Sequence, residues 1–114
     1  MRDCLFCKMV RGELKPQLVL ETAELIAFRD IHPQAPTHVL VVPRKHIGTI
    51  NDITPADAEL VAKMVLAGQQ IAHQENLAAS GYRLVMNCNS GGGQTVFHIH
   101  MHLLGGRQMT WPPG

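Results

Sequence analysis

A chain of 114 residues, 46% of them hydrophobic, has the length of one domain and enough apolar surface for a core of its own, so residues 1–114 are read as a single domain. Ten basic residues balance nine acidic ones without a Lys/Arg run, which excludes the electrostatic footprint of a long nucleic acid but not a single nucleotide held by local groups. No apolar run approaches the roughly 18 residues of a membrane span. The N-terminus has no apolar signal core and three cysteines suit no disulfide framework, so the expectation is a cytoplasmic protein without a membrane partner.

Taken in order, the chain opens on Cys4-Leu-Phe-Cys7. This C-x-x-C reads equally as half a zinc site, a redox pair or two buried thiols, and with no second C-x-x-C a zinc site would need histidines. Phe6 and Met9 are core or pocket-lining residues, core being the default. Residues 8–16 read as a short helix or turn that ends at Pro16. Residues 18–21 and 25–28 are short apolar runs around Thr22-Ala-Glu24, the pattern of a hairpin. The proline-bearing stretch 30–36 is a loop. In it, the Asp30 carboxylate can take two vicinal hydroxyls or cap backbone amides.

Residues 38–42, β-branched and bounded by Pro36 and Pro43, form the clearest buried strand, with His38 at its start. Arg44, Lys45 and His46 after it are either phosphate-attracting or a solvated turn. Thr54 is suited to cap a long helix, with Pro55 in its first position and Asp57 in its first turn. Leu60, Val61, Met64, Val65, Gly68, Ile71 and Ala72 then fall at helical spacing, a stripe for core or a subunit interface. Residues 82–87 are a further strand. Its end leads through a loop closing on Gly91-Gly-Gly93-Gln94, whose exposed N–H groups can cradle an anion.

The most informative stretch follows. His98, His100 and His102 alternate with Ile99, Met101 and Leu103, the period of a half-buried strand. Its alternate residues line one face about 7 Å apart, so three imidazoles share a face while the aliphatic residues enter a core. Imidazole is an acid–base group, a nucleophile and a metal ligand near neutrality. The tail carries the single Trp111, stiffened by Pro112 and Pro113.

Gln94-x-x-x-His98-x-His100-x-His102-Leu-Leu resembles the histidine triad motif, His-φ-His-φ-His-φ-φ with φ apolar. Cys4-x-Phe, Ala27-Phe-x-Asp30-Ile-x-Pro-Gln-Ala-Pro-x-His38, Gly81-Tyr-Arg and the Trp-Pro-Pro-Gly114 tail extend the resemblance over the whole chain. They point to the Hint branch of the HIT superfamily, the purine nucleoside phosphoramidases. The resemblance implies an α+β fold with a meandering antiparallel sheet, one long helix, and a two-fold homodimer whose sheets join. It implies hydrolysis of nucleoside 5′-phosphoramidates of AMP or GMP and of aminoacyl-adenylates, without an organic cofactor.

By the same resemblance His100 is the nucleophile, His102 places the phosphate and leaving group, and His38 orients the nucleophile. Asn87, Gly93, Gln94, Thr95 and Val96 hold the phosphate, with Thr95 contributing a hydroxyl. Asp30 takes the ribose, and Phe6, Met9, Phe28 and Ile31 form a slot for the base. Cys4, Cys7, His46 and His98 match the ligand positions of a structural zinc. Trp111 reaches the neighbouring subunit's active site, or packs on its own subunit. Two rival functions stand beside this: a zinc hydrolase using the three triad histidines as an open metal site, and a non-enzymatic nucleotide- or partner-binding module.

Overall fold

A computed structural model describes residues 3–114. Its elements are α1 (Leu5–Val10), β1 (Leu18–Glu21), β2 (Leu25–Arg29), β3 (Thr37–Pro43), α2 (Ala58–Gln74), β4 (Tyr82–Val85) and β5 (Met101–Gly105). The strands form one antiparallel five-stranded sheet in the order β1-β2-β3-β5-β4. The expected hairpin is present. Thr22 Oγ1 accepts from the amides of Glu24 (3.3 Å) and Leu25 (3.0 Å), which turns β1 into β2.

β3 is buried on both faces because the two helices lie on opposite sides of the sheet. Val39 and Val41 join Met64, Ala67, Ile71, Met101 and Leu103 under α2. Leu40 and Val42 join Ile26, Phe28 and Phe6 on the α1 side. Successive strand residues point to opposite faces, so one continuous apolar run feeds two cores. Gly68 lets α2 settle close to the sheet, since a Cβ there would stand 2.8 Å from the Met101 side chain and 3.1 Å from Leu84. No helix among the described residues is long and apolar enough to cross a membrane.

Four boundaries differ from those read in the sequence by more than a single residue. The first helix is Leu5–Val10 rather than a segment of 8–16, because the Cys4 sulfur caps it by accepting the Cys7 amide at 3.4 Å. Gly12, at φ +80°, takes the chain out of the helix in a conformation that only glycine adopts cheaply. Thr54 and Asp57 cap each other around a 3₁₀ turn, so the α-helix proper begins at Ala58. β4 stops at Val85, two residues early. The histidine strand becomes a regular ladder only at Met101, although Ile99, Met101 and Leu103 all enter the α2-side core as expected. Upstream of Met101 the chain is held instead by single anchors such as the Ile99 amide on the Ile47 carbonyl at 2.7 Å.

Candidate functional site

Pairing of Leu40 with His102 places the triad on the α1 face of the sheet. His100 is 8% exposed, and its Nδ1 lies 2.8 Å from the His98 carbonyl oxygen. A carbonyl only accepts, so Nδ1 carries the hydrogen and Nε2 keeps its lone pair. Burial lowers the pKa of His100, only partly opposed by that hydrogen bond and by Asp30. An uncharged imidazole with Nε2 free is the form of a nucleophile.

His102 is held differently. The Gln34 amide donates to His38 Nδ1 at 3.0 Å, so the hydrogen of neutral His38 sits on Nε2 and is donated to His102 Nδ1 at 2.9 Å. Neutral His102 therefore presents an Nε2–H. His38 thus orients His102, and not His100 as the resemblance implied; the His100 ring is oriented instead by the His98 carbonyl. Of the two roles left open for Asp30, the structure has the amide cap, Oδ1 accepting from the His32 amide at 2.8 Å, while Oδ2 stands 3.5 Å from His38 Nε2.

Burial, with repulsion from His100 and His38, pushes His102 down to about 4, Asp30 acting in the other direction. An unfolded imidazole titrates near ~6.5. Between these values the unfolded chain binds a proton that folded His102 refuses, so its contribution to stability is full above ~6.5 and is lost as pH falls toward about 4. Urea midpoints at pH 7 and pH 5 should fall less for His102→Gln than for the parent protein. An equal fall in both would assign the acid sensitivity elsewhere.

A cleft of ≈790 Å³ opens beside these rings. Phe6, Met9, Phe28 and Ile31 line it together with Asp30, Thr95, Val96, His100 and His102, so the expected base slot and reactive groups share one cavity. Phe6 and Phe28 meet edge to face at 5.6 Å, while Ile31 is 86% exposed at the rim. Leu14, Lys15, Pro16 and Leu40 also line the cleft and were not anticipated. They come from the segment before β1 and from the α1-side face of β3, and neither carries a recognisable signal in sequence.

Gln94 has a different use from the one expected. It is buried, and its amide is committed to the Gly48 and Val96 carbonyls (2.9 and 3.0 Å) and the Asn89 amide (2.8 Å). It shapes the loop rather than offering that amide to a phosphate. Asn87 lies against Gly93, whose φ of +87° turns the loop toward Thr95 and Val96. The basic turn is also committed: Arg44 pairs with Glu21 at 2.9 Å and Lys45 with Asp57 at 2.6 Å.

His98, the first histidine of the row, belongs to a second cluster. His98 Nδ1 lies 3.4 Å from Cys4 Sγ, 3.5 Å from Cys7 Sγ and 3.2 Å from His46 Nδ1, and Cys7 Sγ lies 3.2 Å from His46 Nδ1. Four such donors around a tetrahedral zinc would stand about 3.3–3.8 Å apart. The Pro43 carbonyl accepts from His98 Nε2 at 2.7 Å, which leaves Nδ1 unprotonated and aimed at the thiols, the arrangement by which an outer partner fixes a metal-binding histidine. His98 is fully buried, and burial, followed by Cys4, raises the Cys7 pKa. With His98 Nδ1 given to the cysteines and His100 Nδ1 given to a carbonyl, the triad does not form the open three-histidine metal site of the rival reading.

The tail is tied down at Thr110, whose carbonyl accepts from Arg83 at 2.9 Å, and at Arg107, which donates to the Gln34 carbonyl at 2.9 Å. Trp111 is nevertheless 81% exposed, so it does not pack as a plug on its own chain.

The comparisons with known proteins agree with this geometry. The HIT domain profile matches residues 11–109. The chain is 46% identical over 107 residues to the purine nucleoside phosphoramidase of Escherichia coli, covering 94% of this chain and 90% of that one. A HIT family hydrolase from Legionella pneumophila superposes with a TM-score of 0.97 at 58% identity, over 98% of this chain and all of that one (100%). A Zn-bound histidine triad family protein from Mycobacterium smegmatis superposes with a TM-score of 0.81 at 35% identity, over 93% and 76% of the two chains. This chain belongs to the HIT domain family.

Proposed function

We propose that the protein is a hydrolase that cleaves the P–N bond of purine nucleoside 5′-phosphoramidates, with aminoacyl-adenylates as a second substrate class. The observation that carries this reading is the tautomer of His100, fixed by the 2.8 Å bond to the His98 carbonyl so that Nε2 is unprotonated beside a nucleotide-sized cleft. The 46% identity to a purine nucleoside phosphoramidase supports the same substrate class.

In the first step the Nε2 lone pair of His100 attacks phosphorus, the P–N bond breaks, and a nucleotidyl-histidine forms; one difficult displacement becomes two easier ones. The departing amine needs a proton. A phosphate anion beside His102 and the Asp30 carboxylate 3.5 Å from His38 both favour a proton on the His38–His102 pair, and the pair delivers it to the amine. In the second step water attacks phosphorus, the P–Nε2 bond breaks, and the pair recovers a proton from that water. Backbone amides of Thr95 and Val96, with the Thr95 hydroxyl, donate to the phosphoryl oxygens as charge develops, while the Gly93 amide is held by the Ser90 carbonyl at 3.0 Å and turns the loop. Asp30 holds the ribose hydroxyls, and Phe6, Met9, Phe28 and Ile31 sandwich the purine.

The four donors Cys4, Cys7, His46 and His98 fit structural zinc, and a closed four-ligand site supplies folding energy rather than a bound water. The exposed Trp111 and the edge position of β4 support a homodimer in which the sheets join and the tail reaches the partner's cleft.

The test is release of AMP and ammonia from adenosine 5′-phosphoramidate, followed chromatographically. The expected result is steady release whose initial rate is unchanged in the first moments after adding a chelator. No release would leave a binding module, and immediate loss on chelation would indicate a metal-dependent hydrolase.

A further inference from the structure

Phe6 stands inside the Cys4-x-x-Cys7 spacing, between two donors of the cluster, yet its ring is part of the nucleotide cleft. The ring is buried and meets His98 edge to face at 5.9 Å, His100 at 5.0 Å and Phe28 at 5.6 Å. It therefore touches a donor of one site and the reactive imidazole of the other. A second connection runs beside it, since the carbonyl that fixes His100 belongs to His98, whose own ring faces the cysteines.

The helix that carries Phe6 has six residues. Helices this short are not stable in isolation and take their order from tertiary contacts. Here the Cys4 sulfur both caps the helix and faces His98 at 3.4 Å. Gathering Cys4 and Cys7 around one ion fixes the first turn of α1, and with it the position of the Phe6 ring. Leu5 and Met9 on the same helix line the cleft as well. The fit of the four donors to tetrahedral metal and the short, sulfur-capped helix together make α1 the element that both sites bias.

We propose that metal occupancy of the Cys4–Cys7–His46–His98 cluster and nucleotide binding in the cleft are thermodynamically coupled, with Phe6 as the positioning residue that carries the coupling. The proposal rests on the reading that the cleft takes a purine nucleotide. Coupling of binding equilibria is reciprocal, so a nucleotide tightens the metal by the factor by which the metal tightens the nucleotide. A chain with this property retains its metal best when nucleotide is bound.

The experiment measures zinc affinity of the zinc-loaded protein by competition with a fluorescent chelator, without AMP and at saturating AMP. AMP should tighten zinc by about fivefold or more. In Phe6→Leu the factor should fall to within about twofold of one, whereas Met9→Leu, which alters the slot without standing between the donors, should keep it. Phe6→Met serves the same purpose where Phe6→Leu does not fold. An unchanged zinc affinity at saturating AMP would overturn the coupling while leaving the nucleotide reading intact. An undiminished factor in the Phe6 variants would also overturn it, because coupling through global unfolding alone does not need that ring. Failure of AMP to bind the zinc-loaded protein would remove both the coupling and the reading on which it rests.

Discussion

Replacing His100 by alanine should lower turnover of adenosine 5′-phosphoramidate by at least about a thousandfold, the scale on which removal of a nucleophile acts in covalent catalysis. The residue that replaces it has no lone pair to offer, and the neighbouring imidazoles are not placed to substitute. His98 Nδ1 faces the cysteines and its Nε2 is bonded to Pro43, while His102 Nδ1 is bonded to His38. AMP affinity should change far less, because the slot residues Phe6, Met9 and Phe28 remain. Two measurements check this. Turnover of the variant gives the magnitude, and acid-quenched reaction mixtures of the parent enzyme, digested and mapped by mass spectrometry, give the position of the adduct. A nucleotide on any residue other than His100, or variant turnover within tenfold of the parent, would refute the mechanism.

Legibility in the sequence followed how local each interaction is. The β3 run and the His/aliphatic alternation were readable because burial of alternate faces is written in neighbouring residues. The alternation even survives where the ladder does not, since Ile99 and Met101 still enter the same core. The start of α1 was not readable, because its cap is a cysteine sulfur rather than a hydroxyl or carboxylate and its order comes from tertiary contacts.

The partner of His38 was also out of reach. It depends on β3–β5 register, which pairs Leu40 with His102 and His38 with Leu104, so that His38 and His102 meet diagonally across the strands. The resemblance gives Gln94 a place at the phosphate, and only the fold reveals that Gly48 takes its amide. The cluster is the extreme case. Cys4 and His98 are 94 positions apart, so the C-x-x-C alone left three readings open and only the family resemblance chose among them.

The other large effect concerns the cluster. Purified protein should carry about one zinc per chain, as four protein ligands close one tetrahedral site. Cys4→Ser with Cys7→Ser should then lower the melting temperature by roughly 10–20 °C. The size follows from two steps. Metal bound only by the folded chain adds its binding free energy to folding, and a loss of about 3 kcal/mol in a domain near 100 residues shifts Tm by about 4 °C or more per kcal/mol. The loss is not total, because the α2-side core of Met64, Ile71, Met101 and Leu103 lies on the opposite face of the sheet and does not depend on the metal. The variant should show a larger rise in KM than fall in kcat, since the cluster abuts the base slot through Phe6 while the bond from His100 to the His98 carbonyl is made by backbone. Calorimetric melting of the parent protein in excess chelator should converge on that of the double variant. Metal-free parent protein whose melting is unmoved by chelator would reduce Cys4 and Cys7 to a mere pair of thiols.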